Sequence, residues 1–407
     1  MIQAAMLRVR SGVAASHSGL VVILGALSMA APLSIDIYLP AAPSIGRDLG
    51  LGPTAVVATL SAFFLGFGLG QLVWGPLGDR FGRRRPMMAG SLLYVAASLG
   101  CAAAPSGAVL ILCRFVQAIG GSAAPVLAQA IVRDLFDRRE SARVLSLMLL
   151  VGNLAPLLAP SVGGLVLHWS HWRMIFAVLT LFGLLALLGA ALLPETRPPE
   201  TRRPARRRDM VVGYLGLVRD RRFLGYLFGS GLYGGGFFAW IAGSPIVFIG
   251  YYGILPEYFG LFFGAGVVAI IAANLLNRRL IARFDPDLVM RGGLIVATLA
   301  GIAAMLVARH PAGRLWLLAP FLWCFVGSQS LVMGNAVAGA LAGFPERAGM
   351  AAALMGAMRA GTGALGGLLL GWLADGTPRP VALVIGLMSA AALAVTLTLV
   401  PVRHGRD

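Results

Sequence analysis

Gly75-Pro76-Leu77-Gly78-Asp79-Arg80-Phe81-Gly82-Arg83-Arg84-Arg85 joins two long apolar runs, and its reading decides the rest of the chain. One acid and four arginines crowd into a turn that Gly78 and Gly82 leave free to reverse tightly. Asp79 can pair with an arginine or face a helix N-terminus, where negative charge is favoured. Arg133-Asp134 closes the fourth apolar run on the same side of the membrane, so Asp134 is the expected partner of Arg83. A need to hold the loop on one side would explain the arginines. It would not explain the order Gly-x-x-x-Asp-Arg-x-Gly-Arg-Arg.

Apolar runs recur on both sides of this turn, from Leu20 to Pro401, in a chain of 407 residues that is 58% hydrophobic and 12% charged. A soluble domain carries roughly a quarter charged residues. About 20 apolar residues cross a hydrocarbon core. Twelve spans are predicted, centred near residues 32, 65, 95, 120, 154, 183, 236, 268, 298, 327, 361 and 390. The net charge of +17 comes from arginine without any lysine. Of these arginines, 26 fall in loops on one side and five (Arg47, Arg173, Arg309, Arg314 and Arg379) on the other. Such asymmetry is a topology signal and places both termini in the cytoplasm. It argues against nucleic acid as a partner and for contact with anionic lipid. Arg8 and Arg10 before Leu20–Leu27 imitate a secretory signal, but the apolar run continues to Leu39, which favours an uncleaved first helix. Cys101, Cys113 and Cys324 lie in or beside spans and the five histidines outside them, so no disulfide framework or metal site is expected.

The longest polar connection, 194–222, carries Pro198, Pro199 and Pro204 among many arginines and reads as a cytoplasmic linker between residues 1–193 and 223–407. Six spans on each side give both halves the same orientation, the parallel-repeat arrangement. A faint repeat agrees. Leu77-Gly78-Asp79-Arg80-Phe81-Gly82 after span two has a counterpart in Leu280-Ile281-Ala282-Arg283-Phe284-Asp285 after span eight, where the central Asp is missing.

Charges within the spans are few and expensive, so each is a candidate for function. Asp36 lies in the outer half of span one and is a candidate proton site, ion site or counter-ion for substrate. Arg114 lies at a compatible depth in span four, with Gln117 on the same helix face, and is expected to pair with Asp36 directly or through water. Span five, Gly152-Asn153-Leu154-Ala155-Pro156-Leu157-Leu158-Ala159-Pro160-Ser161-Val162-Gly163-Gly164, has two prolines that remove backbone hydrogen bonds and permit a bend. Arg359 stands within span eleven. Tyr38, Gln117, Asn153, Tyr233, Phe237, Trp240, Asn335 and Arg359 are the candidates to line a mid-membrane cavity between the halves.

The turn quoted first resembles the signature loop of the major facilitator superfamily. That resemblance implies an all-α fold of twelve transmembrane helices in two six-helix bundles, usually monomeric. It makes Gly75, Asp79, Arg80, Gly82, Arg83 and Arg84, with Asp134, a charge latch that stabilises the outward-open state. Arg114-x-x-Gln117-x-x-Gly120 resembles the superfamily's fourth-helix motif, which is associated with proton coupling. Pro156 and Pro160-x-x-Gly163-Gly164 resemble the motif of its exporters, with Ala159 where Gly is usual. Asp36–Pro43, Ile131–Phe136, Trp172–Phe176, Ala242–Phe248 and Phe344–Gly349 together look like the bicyclomycin/chloramphenicol resistance branch of the drug:proton antiporters. Arg359, where a neutral polar residue is expected, and Gly334 before Asn335, where Pro is expected, depart from it. The resemblance implies proton-coupled efflux of small amphipathic molecules across a bacterial inner membrane, with the proton as coupling ion and no cofactor. An importing symporter or facilitator and a non-transporting sensor stay open as alternatives. No nucleophile–base or metal constellation at bilayer depth suggests an enzyme.

Overall fold

The computed structural model describes residues 17–152, 154–198, 207–310, 315–344 and 347–401. The first apolar run is broken. Helices α1 (His17–Ser28) and α2 (Ala30–Asp36) are followed by a 3₁₀ turn at Leu39–Ala41 and by α3 (Ala42–Asp48), with a bend of 43° after Ser28. Pro32 has no N–H to offer the Ser28 carbonyl, and Pro40 and Pro43 do the same further on. Next come α4 (Pro53–Phe81), α5 (Arg84–Ala102) and α6 (Gly107–Leu135). Pro53 starts α4 where a missing N–H costs nothing. Gly82, at φ 88°, makes the reversal into α5 that a side chain would resist. The fifth run is α7 (Arg138–Gly152) and α8 (Leu154–Trp169), and the sixth is α9 (Arg173–Leu192).

The linker contains a helix of its own, α10 (Arg207–Val218), which polar composition alone did not suggest. Its apolar side packs: Leu217 is buried, Gly213 meets Met350 and Gly216 meets the Arg347 guanidinium. The second half follows as α11 (Arg221–Pro245), continued by a π turn to Tyr251, then α12 (Pro256–Leu280), α13 (Pro286–Arg309), α14 (Leu315–Gly327), α15 (Gln329–Ala342), α16 (Ala348–Leu373) and α17 (Arg379–Leu399). Asp220 caps α11 by accepting from Phe223 N at 2.6 Å, and Asp285 caps α13 by accepting from Asp287 N at 2.7 Å.

Among the described residues, nine helices are long and apolar enough to cross a membrane, or ten with the bent first pair taken as one. The third and fifth expected spans account for the difference. Helix α5 occupies the third but opens on two arginines, and the fifth is divided into α7 and α8.

Helices α4, α5, α6 and α9 pack on one another, as do α11, α13, α16 and α17. Two long seams join the first half of the chain to the second: α4 on α16, and α8 on α12. The first runs from Thr54, whose hydroxyl donates to the Gly371 carbonyl at 2.6 Å, past Ser61 against Gly367 and Gly68 against Ala360, to Gln71 beside Gly356. Small residues let these backbones approach closely. The second seam lies toward the arginine-poor end. Gly164 is pressed on the Pro256 carbonyl and Gly260 on Ser161, and His168 Nδ1 stands 3.6 Å from Glu257 Oε1. The Leu39–Ala41 turn also touches α11 and α12 there. At the arginine-rich end no second seam of this kind is seen among the described residues. The two groups of helices are therefore closed at the arginine-poor end.

Candidate functional site

Helix α2 ends at Asp36, immediately before the proline break. Asp36 is 4% exposed and makes no ion pair with any described residue. The chain just past it is held from the side by α8. The Gly163 backbone lies against the Ile37 carbonyl and Pro40, and its neighbour Gly164 lies against Pro256 of the other half. A Cβ at either glycine would strike backbone. The expected exporter motif thus supplies two adjacent smooth positions, one facing the Asp36 segment and one facing the seam between halves. Pro160 is buried in α8 and Pro156 is half-buried.

Arg114 is the surprise of this region. It is 0% exposed, neither paired with Asp36 nor snorkelling to an interface. Its Nη1 donates to Gln117 Oε1 at 2.7 Å and to the Ser34 carbonyl at 3.2 Å. Its guanidinium carbon lies 4.3 Å from the Phe63 ring centre, 4.7 Å from Tyr38 and 5.9 Å from Phe176. Three π faces replace the expected carboxylate, each of which attracts a cation by about 0.5–2 kcal/mol. Arg114 Nε and Nη2 find no hydrogen-bond partner among the described residues. Gln117 is fixed in turn by donating from Nε2 to Ser98 Oγ at 2.7 Å. Ser34 Oγ and Tyr94 OH share a 2.6 Å hydrogen bond, and Tyr38 OH and Thr59 Oγ1 one of 2.7 Å. Arg114 therefore braces the carbonyl end of α2, two residues before Asp36.

Most residues expected to line a cavity are core in this conformation. Tyr38 and Gln117 belong to the arginine cage. Tyr233 donates to the Phe325 carbonyl at 2.8 Å and accepts from Ser328 Oγ at 3.0 Å. Trp240 stacks on Phe263 at 4.9 Å, and Asn335 donates to Asn277 Oδ1 at 2.9 Å and to the Leu331 carbonyl. Tyr38, Gln117, Tyr233 and Asn335 have polar atoms that neighbouring groups satisfy, so their burial is cheap, whereas Trp240 Nε1 is buried without a hydrogen-bond partner among the described residues. Phe237 is half-buried and Arg359 is exposed, so these two reach open space. Asn153 lies outside the described residues.

The signature turn is a charge cluster of wider membership than expected. Arg83, 6% exposed, donates from Nη1 to Asp79 Oδ1 and from Nε to Asp134 Oδ2, both at 2.9 Å. Burial works against the Arg83 charge, but the Asp134 and Asp79 carboxylates outweigh it and its pKa is raised. Beyond these, Glu195 Oε1 accepts from the Arg83 backbone N–H at 2.8 Å. Arg197 pairs with Asp79 at 2.5 Å, and Thr196 Oγ1 donates to Asp134 at 3.2 Å. The segment after span six thus completes the cluster. Reading 194–222 only as a linker hid it, although the sequence signal was there: an acid, a hydroxyl and an arginine directly after an apolar run. Arg84 donates to the Ala191 carbonyl and Arg80 lies over Phe81 at 5.2 Å, while Gly75 has open space at its Cβ position. At the corresponding end of the second half, Arg222 pairs with Asp287, and Tyr226 OH donates to Asp287 Oδ1 at 2.6 Å. Arg283, the repeat's arginine, is exposed. No group of three metal-ligating side chains occurs among the described residues.

Residues 24–366 match the family model described as Major Facilitator Superfamily. The chain is 36% identical to the Bicyclomycin resistance protein homolog of Haemophilus influenzae, over 90% of this chain and 92% of that one. It is 31% identical to the Chloramphenicol resistance protein of Pseudomonas aeruginosa, over 88% and 83%. In fold it is similar to the D-xylose-proton symporter, with a TM-score of 0.72 over 95% of this chain and 98% of that one at 14% identity.

Proposed function

The chain belongs to the major facilitator superfamily, and from that premise we propose that it exports small amphipathic molecules from a bacterial cytoplasm in exchange for protons. It is a multi-pass membrane transporter and not an enzyme. Among the lines that support exchange, the arrangement around Asp36 carries the most weight. A lone carboxyl at bilayer depth is the residue type that proton relays use. It sits at a break in α2 that α8 touches through Gly163, while Gly164 of the same helix touches the other half. Loading or unloading Asp36 is thereby tied mechanically to the seam whose opening changes access. In this reading Asp36 takes a proton from outside and gives it up inside as substrate enters, and Arg114 holds α2 in register while α8 moves. The cluster of Arg83, Asp79, Asp134, Glu195 and Arg197 holds the arginine-rich ends of the first six spans together as one body. The arginine asymmetry supports cytoplasmic termini in the inner membrane, with anionic lipid around them. A monomer suffices for this cycle.

The test is substrate-induced proton release from purified protein, screened over small amphipathic compounds of each charge type, with chloramphenicol and bicyclomycin among the neutral ones. Wild type is expected to release protons and Asp36→Asn to release none. If Asp36→Asn, at equal expression, still drives efflux that collapses with the proton gradient, Asp36 is not the carrier.

A further inference from the structure

Arg359 lies about 17 Å along α16 from its first residue, eleven positions at 1.5 Å each, well inside the membrane. The faces of α16 are fixed by its neighbours. Positions 356, 360 and 367 meet α4, at Gln71, Gly68 and Ser61. Positions 358, 362 and 366 meet α11: Met358 lies at Gly231, Thr362 Oγ1 donates to the Gly231 carbonyl at 2.6 Å, and Gly366 lies at Gly235. Leu368 and Trp372, exposed and apolar, mark the lipid face. At 3.6 residues per turn, Arg359 points opposite Leu368, into the wedge between α4 and α11. It is nevertheless exposed. Its exposure is therefore to the space between the two halves and not to lipid.

Its side chain is supported but unpaired. Gly234 makes room for its stem, since a Cβ there would lie 2.9 Å from Arg359 Cγ and 3.3 Å from Met333 Cε. The guanidinium has no hydrogen bond or ion pair with any described residue. One turn further along α16, Gly363 rests on Phe238. That ring is 4.1 Å from Phe64 of the first half and 6.1 Å from Phe237. A fixed cation thus lies beside a layer of half-buried aromatic rings.

An arginine stays charged at any physiological pH, and its planar fork matches an oxyanion in two-point contact. A cation inside a membrane without its counter-ion is costly, and a ligand that brings one gains what the protein lacks. The geometry points to an amphipathic anion as the transported class: a carboxylate or phosphate held by Arg359, with an apolar body against Phe237 and Phe238. This rests on the transporter reading above and narrows its substrate. It sets the chain apart from a carrier of neutral or cationic drugs.

The test uses three fluorescent probes that share a dansyl body, dansylglycine (anionic), dansylamide (neutral) and dansylcadaverine (cationic), titrated against full-length protein in nanodiscs of uncharged lipid. Dansylglycine is expected to bind at least tenfold more tightly than either of the others. Arg359→Gln is expected to remove that preference while leaving dansylamide within twofold, and Arg359→Lys to restore part of it. Equal binding of all three, a preference for the cation, or failure of dansylglycine to bind overturns the inference. So does a preference that Arg359→Gln leaves intact. Repeating the titration with phosphatidylglycerol in the disc separates the two sources of an oxyanion. Undiminished dansylglycine binding supports a small-molecule ligand, and its displacement assigns Arg359 to a lipid headgroup and overturns the transport claim. Proton release is read separately. Anion preference without proton release defeats the antiport mechanism and leaves the anion site standing, whereas equal proton release by dansylglycine and dansylamide, without anion preference, does the reverse.

Discussion

Arg114 and Arg359 both stand deep inside membrane helices, one in each half, and the protein treats them in opposite ways. Arg114 is wrapped by Phe63, Tyr38 and Phe176 and hydrogen-bonded to Gln117 and the Ser34 carbonyl. The stem of Arg359 lies against Gly234, and its guanidinium has no partner among the described residues. The first is a structural brace whose charge is spent inside the protein. The second keeps its charge available. Position in a span therefore does not tell what an intramembrane arginine does; the neighbouring helices do.

The contrast can be broken by mutation, and the largest effect is expected at the cage wall. Phe63→Ala leaves a void and removes the nearest π face from a buried cation, and is expected to cost about 3–5 kcal/mol, read as a lowered thermal midpoint in detergent. Arg114→Lys keeps the charge but cannot stack or reach Gln117 and Ser34 together, with an expected loss of about 2–3 kcal/mol. If it is as stable as wild type, the brace does not exist. Gln117→Ala, which removes one hydrogen-bond partner of Arg114 and leaves Ser98 Oγ without its donor, is expected to cost about 1–2 kcal/mol. Arg359→Gln, by contrast, is expected to change stability by less than about 0.5 kcal/mol, as for exposed groups without partners. A large loss there would mean that Arg359 too is structural, and the contrast between the halves would vanish.

The same asymmetry appears at the arginine-rich ends. The first half closes its turn with Arg83 between Asp79 and Asp134, joined by Glu195, Thr196 and Arg197 from the segment after span six. The second half uses Arg222, Tyr226 and Asp287, none of which belongs to the repeated Leu-x-x-Arg-Phe turn. The repeat seen in sequence marks equivalent places in two bundles but not equivalent chemistry. Asp79 was legible as a partner for an arginine because the turn packs opposite charges at short spacing, and Asp134 as the partner of Arg83 because it closes an apolar run on the same side of the membrane. Glu195 and Arg197 carried a local signal directly after an apolar run, but reading 194–222 as a linker hid that they reach the turn across more than a hundred residues of chain.

Local information also set the limits of the site. Asp36 stood out because a carboxylate in an apolar run is visible without any structure. Its expected pairing with Arg114 rested on matched depth, and depth says nothing about which way a side chain turns around its helix. The candidate cavity residues suffered from the same gap. Tyr38, Gln117, Tyr233, Trp240 and Asn335 all lie within spans, yet each finds its polar partner or its packing within one half and is buried. Arg359 could be flagged as odd from sequence, but its role depends on the wedge between α4 and α11.

The sequence by itself determined that this chain lives in a membrane, where its turns lie, which family it resembles and where its costly charges sit. Apolar run length, arginine asymmetry and the Gly-Asp-Arg turn are local properties, and the bilayer imposes them span by span. Only the tertiary structure decided which charges are spent and which are free, that the two groups of helices are closed at the arginine-poor end, and that Gly163 and Gly164 link Asp36 to that closure. Those facts depend on the rotation of each helix about its axis and on close backbone approach between distant segments, which arise when the helices pack.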